Sequence, residues 1–471
     1  MSITNNTTLS KPEVKSFYIE TYGCQMNEYD SLIAQNILEK QEICHSKTPE
    51  EADIILINTC AVRENAHQKI YNRVRSLQHL HKQGKKIGIL GCMAQNLKED
   101  LLYENLPIDF IAGPDAFRNL STYASEKNSL ESQAYLKLSK TEIYDDFVPT
   151  VEHHLSSSNN NVTAFISIQR GCDNFCTFCV VPYTRGRERS RTVTSIVEEV
   201  NSLVAGGFQS VVLLGQNVNS YSNSGSNFTN LIKEILNKTQ VERIFFTSPH
   251  PKDFPLELIE LMAKEPRFCP QVHLPLQAGS NDILKKMKRN YTRDSFLELV
   301  QLFRQKVPNV ALTTDVIVGF PGESDKDFEE TREVMKLANF DSAFMFAYSE
   351  RRGTLAKKLY PDEIPDEIKK NRLTLIIEEQ LKRSLEKNKS LIGQRFTALV
   401  EGISRRNENE PIARLSNGKK VIIHNLENIK AQESIGRYFD VKIVDCSSSS
   451  LHGDFLNIKE SSLLTENKQG I

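Results

Sequence analysis

No apolar stretch in the chain approaches the ~18 residues that a membrane-spanning helix needs. The longest runs are short ones such as Ile54 to Ile57 and Val211 to Leu214, so no membrane contact is expected. An excess of charge is missing too: 59 Lys and Arg stand against 60 Asp and Glu, a net charge of −1. The chain as a whole is therefore not the strongly basic object that nonspecific nucleic-acid binders are, and any such contact must rest on local patches. The first ten residues, MSITNNTTLS, have no basic n-region, no apolar core and no arginine, which argues against a secretory or transit signal. The expectation is a cytoplasmic protein with a disordered tail over residues 1–14. Nine cysteines, an odd number without a secretory signal, speak against a disulfide framework. In a reducing compartment, clustered cysteines bind metal or do chemistry.

What is present is an ordinary globular composition, 39% hydrophobic and 25% charged, in 471 residues, enough for about three domains. The fold class is α/β. From Phe17 to about Leu120, β-branched runs (FYIET, ADIILIN, KIGIL) alternate with amphipathic stretches around Asp30 to Lys40 and Asn65 to His79. This pattern implies an open parallel α/β sheet over residues 15–130. A polar stretch ending in SSSNNN reads as a linker over 131–157. Over 158–390, six strand-like runs (AFISIQR, SVVLLG, RIFFTS, QVHLP, LTTDVIVG, SAFMFAYS) alternate with helical segments, closed by a charged helix from about Asp366 to Asn388. Ser195 with Glu198 and Ser324 with Asp327 read as capping boxes there. Over 393–456, short alternating strands separated by turns indicate a small β-barrel, followed by a tail over 457–471.

In GCDNFCTFC, Cys172, Cys176 and Cys179 follow the first strand of the second α/β unit. Three thiolates fit neither a closed four-ligand zinc site nor a four-cysteine iron–sulfur site, so one metal corner stays free for chemistry. Cys24, Cys60 and Cys92 lie about thirty residues apart, yet each sits just past the carboxyl end of a parallel strand (FYIETYGC, IILINTC, KIGILGC). Those ends share one edge of the sheet, where ligands bind, so the three can converge on a second open site. Gly23 and Gly91 would let the backbone turn tightly before two of them. Cys44, Cys269 and Cys446 read as buried structural thiols.

The GCDNFCTFC motif resembles that of the radical S-adenosylmethionine enzymes. With YGCQMNEYDS, NTCAVRENA, GCMAQ, RGCDNFCTFCVVPYTRGRERSR, LLGQNVNSY, HLPLQAGS and VIVGFPGE, residues 15–456 resemble the methylthiotransferase branch of that superfamily. The run Ala61 to Ala66 is similar to the members acting on N6-dimethylallyladenosine of tRNA. The resemblance implies an N-terminal methylthiotransferase domain, a partial (β/α)6 barrel and a C-terminal TRAM barrel. It implies two 4Fe-4S clusters, on Cys24, Cys60 and Cys92 and on Cys172, Cys176 and Cys179. One S-adenosyl-L-methionine would give the 5′-deoxyadenosyl radical that takes hydrogen from C-2 of the adenine at position 37, next to the anticodon, and a second would give the methyl group. Cofactor contacts are expected at Phe178, Gly215, Gln216, Ser248, Gln277, Gly319 and Glu323. RNA contacts are expected in basic patches: Arg185, Arg187, Arg189 and Arg191; Lys285, Lys286, Lys288 and Arg289; and, on the barrel, Arg405, Arg406, Arg414, Lys419 and Lys420. Further partners implied are a flavodoxin-like electron donor and a sulfur donor system, with the chain a monomer. The competing readings are a methylthiotransferase for another modified adenosine or a ribosomal protein side chain, and a non-catalytic iron–sulfur RNA-binding regulator.

Overall fold

The computed structural model describes residues 14–61, 64–98, 100–103, 105–125, 133–157, 161–426 and 429–459. Most of the two expected tails, and Val62 and Arg63 of the run after Cys60, lie outside these residues. The chain forms two compact units, residues 1–149 with 183–185, and residues 150–182 with 186–471. Among the described residues no helix is long and apolar enough to cross a membrane.

The first unit is a six-stranded parallel sheet. Its strands are β1 (Ser16–Tyr22), β2 (Cys44–His45), β3 (Ile54–Thr59), β4 (Lys86–Gly91), β5 (Phe110–Ala112) and β6 (Gln133–Tyr135), in the order β2-β1-β3-β4-β5-β6. All six residues of β3 are buried, as expected of a central strand covered on both faces. The expected linker over 131–157 is corrected. Its Gln133–Tyr135 pairs with β5 as the edge strand and Val151–Ser157 is helical, both too short to give a periodic signal. Val14, placed in the expected tail, is buried. The helix expected near Asp30 begins at Gln25, directly after Cys24.

In the second unit, β7 (Thr163–Ser167) is followed by the short antiparallel pair β8 (Gln169–Arg170) and β9 (Arg189–Ser190). Then come β10 (Ser210–Leu214), the small hairpin β11 (Ser222–Asn223) and β12 (Ser226–Asn227), and β13 (Arg243–Phe246). β14 (Gln271–His273), β15 (Ala311–Val318) and β16 (Ser342–Ala347) complete the set of six parallel strands. These six form two triplets, β13-β10-β7 and β14-β15-β16, joined through a parallel bridge between Ile244 and Phe268. One face packs under helices in a single apolar core that takes in Ile166, Leu213, Ile244, Val316, Phe296 and Val334. Ser324 and Asp327 form the expected capping box. Ser195 does not cap its helix: Thr192 does, accepting the Ser195 N–H, because Val193 and Thr194 already have helical backbone.

Residues 395–459 close into a barrel, β17 (Arg395–Ile403), β18 (Pro411–Leu415), β19 (Lys420–His424), β20 (Tyr438–Cys446) and β21 (Leu451–Lys459), ordered β17-β18-β19-β21-β20. The fifth strand escapes a pattern reading because its last four residues are all exposed and break the alternation. It also carries the structured chain past residue 456 to Lys459. This barrel abuts the starts of the core strands. Thr163 donates to Glu401 (2.9 Å), Gln209 to the Gly436 carbonyl (2.7 Å), Arg243 to the Arg414 carbonyl (2.6 Å) and Asn417 to the Asn309 carbonyl (3.3 Å). Lys419 pairs with Asp341 at 2.9 Å. The opposite, carboxyl, ends of these strands carry the cysteine loop.

Candidate functional site

β1, β3 and β4 are adjacent, and Cys24, Cys60 and Cys92 follow their carboxyl ends within two residues. The backbone there is fixed from below by two buried amides. Asn27 donates to Asn58 Oδ1 (3.2 Å) and the Thr59 carbonyl (3.0 Å), while Asn58 donates to the Asn27 carbonyl and Ser31 Oγ (both 2.9 Å). Gly91 has φ +87°, and a Cβ there would stand 2.4 Å from Asn58 Oδ1, so this turn requires glycine. Cys24 is the N-cap of the helix Gln25–Glu39. A hydrogen bond with Cys60, aided by Arg185 and by the N–H groups of Asn27 and Met26, holds the Cys24 thiol down at about 6 against the pull of burial. Burial pushes the Cys92 thiol up.

Arg185, expected to touch RNA, is instead buried in this unit. Its guanidinium pairs with Asp30 at 2.7 Å and exerts its field on Cys24 and Cys92.

In the second unit each sulfur of the tight motif accepts an N–H. Asn174 Nδ2 reaches Cys172 Sγ (3.6 Å), Arg289 Nη1 reaches Cys176 Sγ (3.2 Å) and the Val181 N–H reaches Cys179 Sγ (3.5 Å). Donors aimed at all three sulfurs suit thiolates bound to iron rather than thiols. Burial pushes Cys172 up to about 11 and Cys179 up to about 12, so as free thiols both keep their protons at neutral pH until a metal displaces them. Among the described residues no three His, Cys, Asp or Glu side chains gather as ligands of one metal ion. The ligands of a cluster bind different irons, and sulfur donors are what iron–sulfur clusters take, so the all-thiol donor set fits a cluster. None of the nine cysteines, all among the described residues, forms a disulfide. Of the three expected to be buried and structural, Cys269 is buried, whereas Cys44 is exposed on the two-residue edge strand β2 and Cys446 is half-buried at the end of β20.

The expected cofactor contacts divide. Phe178 packs against the cluster of Ala278, Phe320 and Tyr348 at the strand ends. Gln277 is buried at φ +67°, its side-chain carbonyl has no hydrogen-bond partner among the described residues, and Ser248 also has positive φ, +56°. Both stand just past strand ends. Gly215 lies against Gln169, and the Gln216 side-chain Oε1 accepts the Gly171 N–H at 2.6 Å, holding the cysteine loop. Glu323 is engaged by the Gly319 N–H (3.0 Å) and Arg372 (2.8 Å), which staples the turn after β15 to the helix Asp366–Lys389.

Four of the cations expected to meet RNA, Arg185, Arg189, Arg191 and Arg289, are buried, and several others are engaged by the protein itself. Arg189 is buried, and Arg191 pairs with Glu199 at 2.6 Å. Arg289 is spent on Cys176, and Lys286 donates to the Gly322 carbonyl (3.3 Å). Arg414 pairs with Glu401 (2.9 Å), and Lys419 with Asp341. Arg187 is exposed but paired with Asp173 at 2.6 Å. Lys285, Lys288, Arg405, Arg406 and Lys420 are exposed. A charge run does not reveal which of its members turn inward.

Two features were not anticipated. His250, just past β13, is kept neutral by burial and by Arg289 and Lys252, which push it down to about 2. Its Nδ1 accepts the Lys252 N–H (3.2 Å), so the proton sits on the unpartnered, buried Nε2. The second feature is the sheet face opposite the helices. It carries His273, bonded to Thr313 (2.9 Å) and Asp315 (3.1 Å), and, in register with Asp315 and Ile317, Phe344 and Phe346. These phenylalanines are 57% and 37% exposed, an uncovered aromatic surface inside an otherwise packed unit. The alternation of SAFMFA signals it once the covered face is known.

Residues 16–113 match the family described as Uncharacterized protein family UPF0004, residues 166–335 the Radical SAM superfamily, and residues 389–456 the TRAM domain. The chain is 42% identical to a tRNA-2-methylthio-N(6)-dimethylallyladenosine synthase of Chloroherpeton thalassium, over 93% of this chain and 96% of that one. It is 41% identical to the protein of the same name from Porphyromonas gingivalis strain W83, over 95% and 96%. In fold it is similar to the radical S-adenosylmethionine methyltransferase TsrM of Kitasatospora setae, with a TM-score of 0.52 and 15% identity over 70% of this chain and 72% of that one.

Proposed function

The chain belongs to the family of tRNA-2-methylthio-N(6)-dimethylallyladenosine synthases, and we propose that its two cysteine triads are the two working centres of that reaction. It is a radical S-adenosylmethionine methylthiotransferase that converts N6-dimethylallyladenosine of tRNA to the 2-methylthio form. The observation that carries the assignment of residues is the convergence of Cys24, Cys60 and Cys92 on one sheet edge, together with the three N–H donors aimed at Cys172, Cys176 and Cys179. Each triad would hold a 4Fe-4S cluster with one iron free, and the clusters with S-adenosylmethionine supply the radical and the methyl group when bound.

The protein's own part is to position. Phe178 and the unpartnered carbonyl of Gln277 offer an apolar surface and an acceptor at the strand ends beside the second triad. Phe344 and Phe346 offer the target base and its five-carbon tail a surface to pack on, with the His273–Asp315 pair beside them. A base must leave its loop to be reached there, as RNA-modifying enzymes require. The target would be position 37 of cytoplasmic tRNA, with the chain a monomer served by a flavodoxin-like reductant and a sulfur donor.

The test is methylthiolation of one tRNA with and without the prior dimethylallyl group, read by nucleoside mass spectrometry. Each buried CH₂ contributes on the order of 0.8 kcal/mol, so the unmodified tRNA is expected to react at least tenfold more slowly. Comparable rates would reject the substrate assignment.

A further inference from the structure

We infer that Arg289 is a positioning residue that sets how readily the site of Cys172, Cys176 and Cys179 accepts an electron, by holding an unneutralised guanidinium against Cys176. The inference rests on the reading that these cysteines carry a 4Fe-4S cluster. Arg289 is 5% exposed and its nitrogens are all directed: Nη1 to Cys176 Sγ (3.2 Å), Nη2 to the Pro275 carbonyl (3.2 Å) and Nε to Tyr291 Oη (3.1 Å). Tyr291 is itself anchored by donating to the Leu276 carbonyl at 2.7 Å, and its ring lies 5.2 Å from the guanidinium. Among the described residues no carboxylate pairs with Arg289.

A guanidinium does not lose its proton, and a buried one without a counter-charge is costly. Among the described residues the sulfur its N–H groups reach is that of Cys176, so the arginine would stabilise the negative charge that this sulfur carries as a cluster ligand. It stabilises that charge more after an electron has been added. The other triad has a buried arginine of a different kind: Arg185 is neutralised by Asp30 at 2.7 Å, and its net field is that of a dipole. At Cys176 the nearest cation is therefore one without a carboxylate partner among the described residues, even though Glu188 acts on Cys172, whereas at the first triad it is part of a closed ion pair. The asymmetry directs the electron to the second triad. In that step one electron passes from an external low-potential donor, which is oxidised, to the cluster, which is reduced, and no bond breaks.

The experiment is an anaerobic redox titration, followed by electron paramagnetic resonance, of the full chain reconstituted with iron and sulfide. Cys24, Cys60 and Cys92 are replaced by alanine so that one signal remains. Arg289→Gln keeps an N–H donor and removes the charge. At the potential where the parent is half reduced, its ratio of reduced to oxidised cluster should fall at least tenfold, which is 59 mV for one electron. Arg289→Lys keeps the charge and should stay within about threefold of the parent. An unchanged potential in Arg289→Gln at equal iron content would overturn the inference. If Arg289→Gln loses its iron, Arg289→Lys decides: iron and potential retained supports a charge effect, while loss of iron there too shows a merely structural arginine and overturns it. A parent that binds no cluster fails the cluster reading instead.

Discussion

A thiol and a thiolate ligand are distinguished by their neighbours, and at residue scale the N–H donors around Cys172, Cys176 and Cys179 mark that triad. Cys269 is fully buried and shares no motif with another cysteine, whereas Cys172, Cys176 and Cys179 follow one another in a single loop and each receive an N–H. The six were legible in the sequence because ligand chemistry dictates residue type and spacing. The fate of each cation was not legible, because pairing with Asp30 or Asp341 comes from parts of the chain remote in sequence. Anaerobic reconstitution should yield about eight irons per chain, and replacing Cys172, Cys176 and Cys179 together by alanine should remove half of them. Iron and sulfide analysis checks this; four irons in the parent, or stoichiometric zinc, would contradict it. Cys60→Ala, which leaves the second triad intact, should retain reductive cleavage of S-adenosylmethionine while making no methylthio product.

At the scale of elements, β-branched strands of five or more residues and amphipathic helices announced themselves. The three-residue β6, and β21 with its exposed end, did not, since periodicity needs length and one buried face. The pairing of elements was less legible still. Nothing in the alternation of the C-terminal strands indicates that their barrel lies under the starts of the core strands. Asp341, immediately before β16, holds that junction: it accepts from Lys387 (2.8 Å), the Leu312 N–H (3.0 Å) and Lys419 (2.9 Å) while only 7% of its side chain is exposed. Against the pull of burial, Lys419 and Lys387 hold its carboxyl below the ordinary carboxylate range. With the folded value depressed, the unfolded chain takes up the proton first as pH falls. The contribution is therefore complete above about pH 4 and is lost as the pH falls through the folded value. Asp341→Asn should cost about 3–5 kcal/mol at neutral pH by leaving Lys387, Lys419 and the more distant Arg304 uncompensated. Its melting temperature should also depend less on acidification below pH 4 than the parent's. Calorimetry across that range checks both, and an unaltered acid limb would show that the junction is held by other contacts.

For the whole molecule, a net charge of −1 poses the question of how an anionic RNA is held, and the inward-turned arginines sharpen it. Arg185, Arg189, Arg191 and Arg289 are buried, while Arg414 and Lys419 brace the barrel, so the electrostatic footprint is smaller than a count of basic residues suggests. What is left includes Lys285 and Lys288 near the second triad and Arg405, Arg406 and Lys420 on the barrel. Each phosphate that a cation neutralises adds about 0.9 to the slope of log K against log salt on duplex nucleic acid, and about 0.7 on single strands. If the exposed cations are the contacts, Lys285→Ala with Lys288→Ala should lower the salt slope for tRNA by up to about two while the melting temperature stays put. Lys419→Ala should do the reverse, lowering the melting temperature because Asp341 loses a buried partner, with the salt slope unchanged. Neither change should alter which nucleoside is modified, since phosphate contacts position the RNA and carry no base identity. Binding isotherms at four or more salt concentrations, paired with thermal melts of the same preparations, separate the two roles. A slope that falls in Lys419→Ala at constant melting temperature would move that lysine from the frame of the protein to its RNA-binding surface.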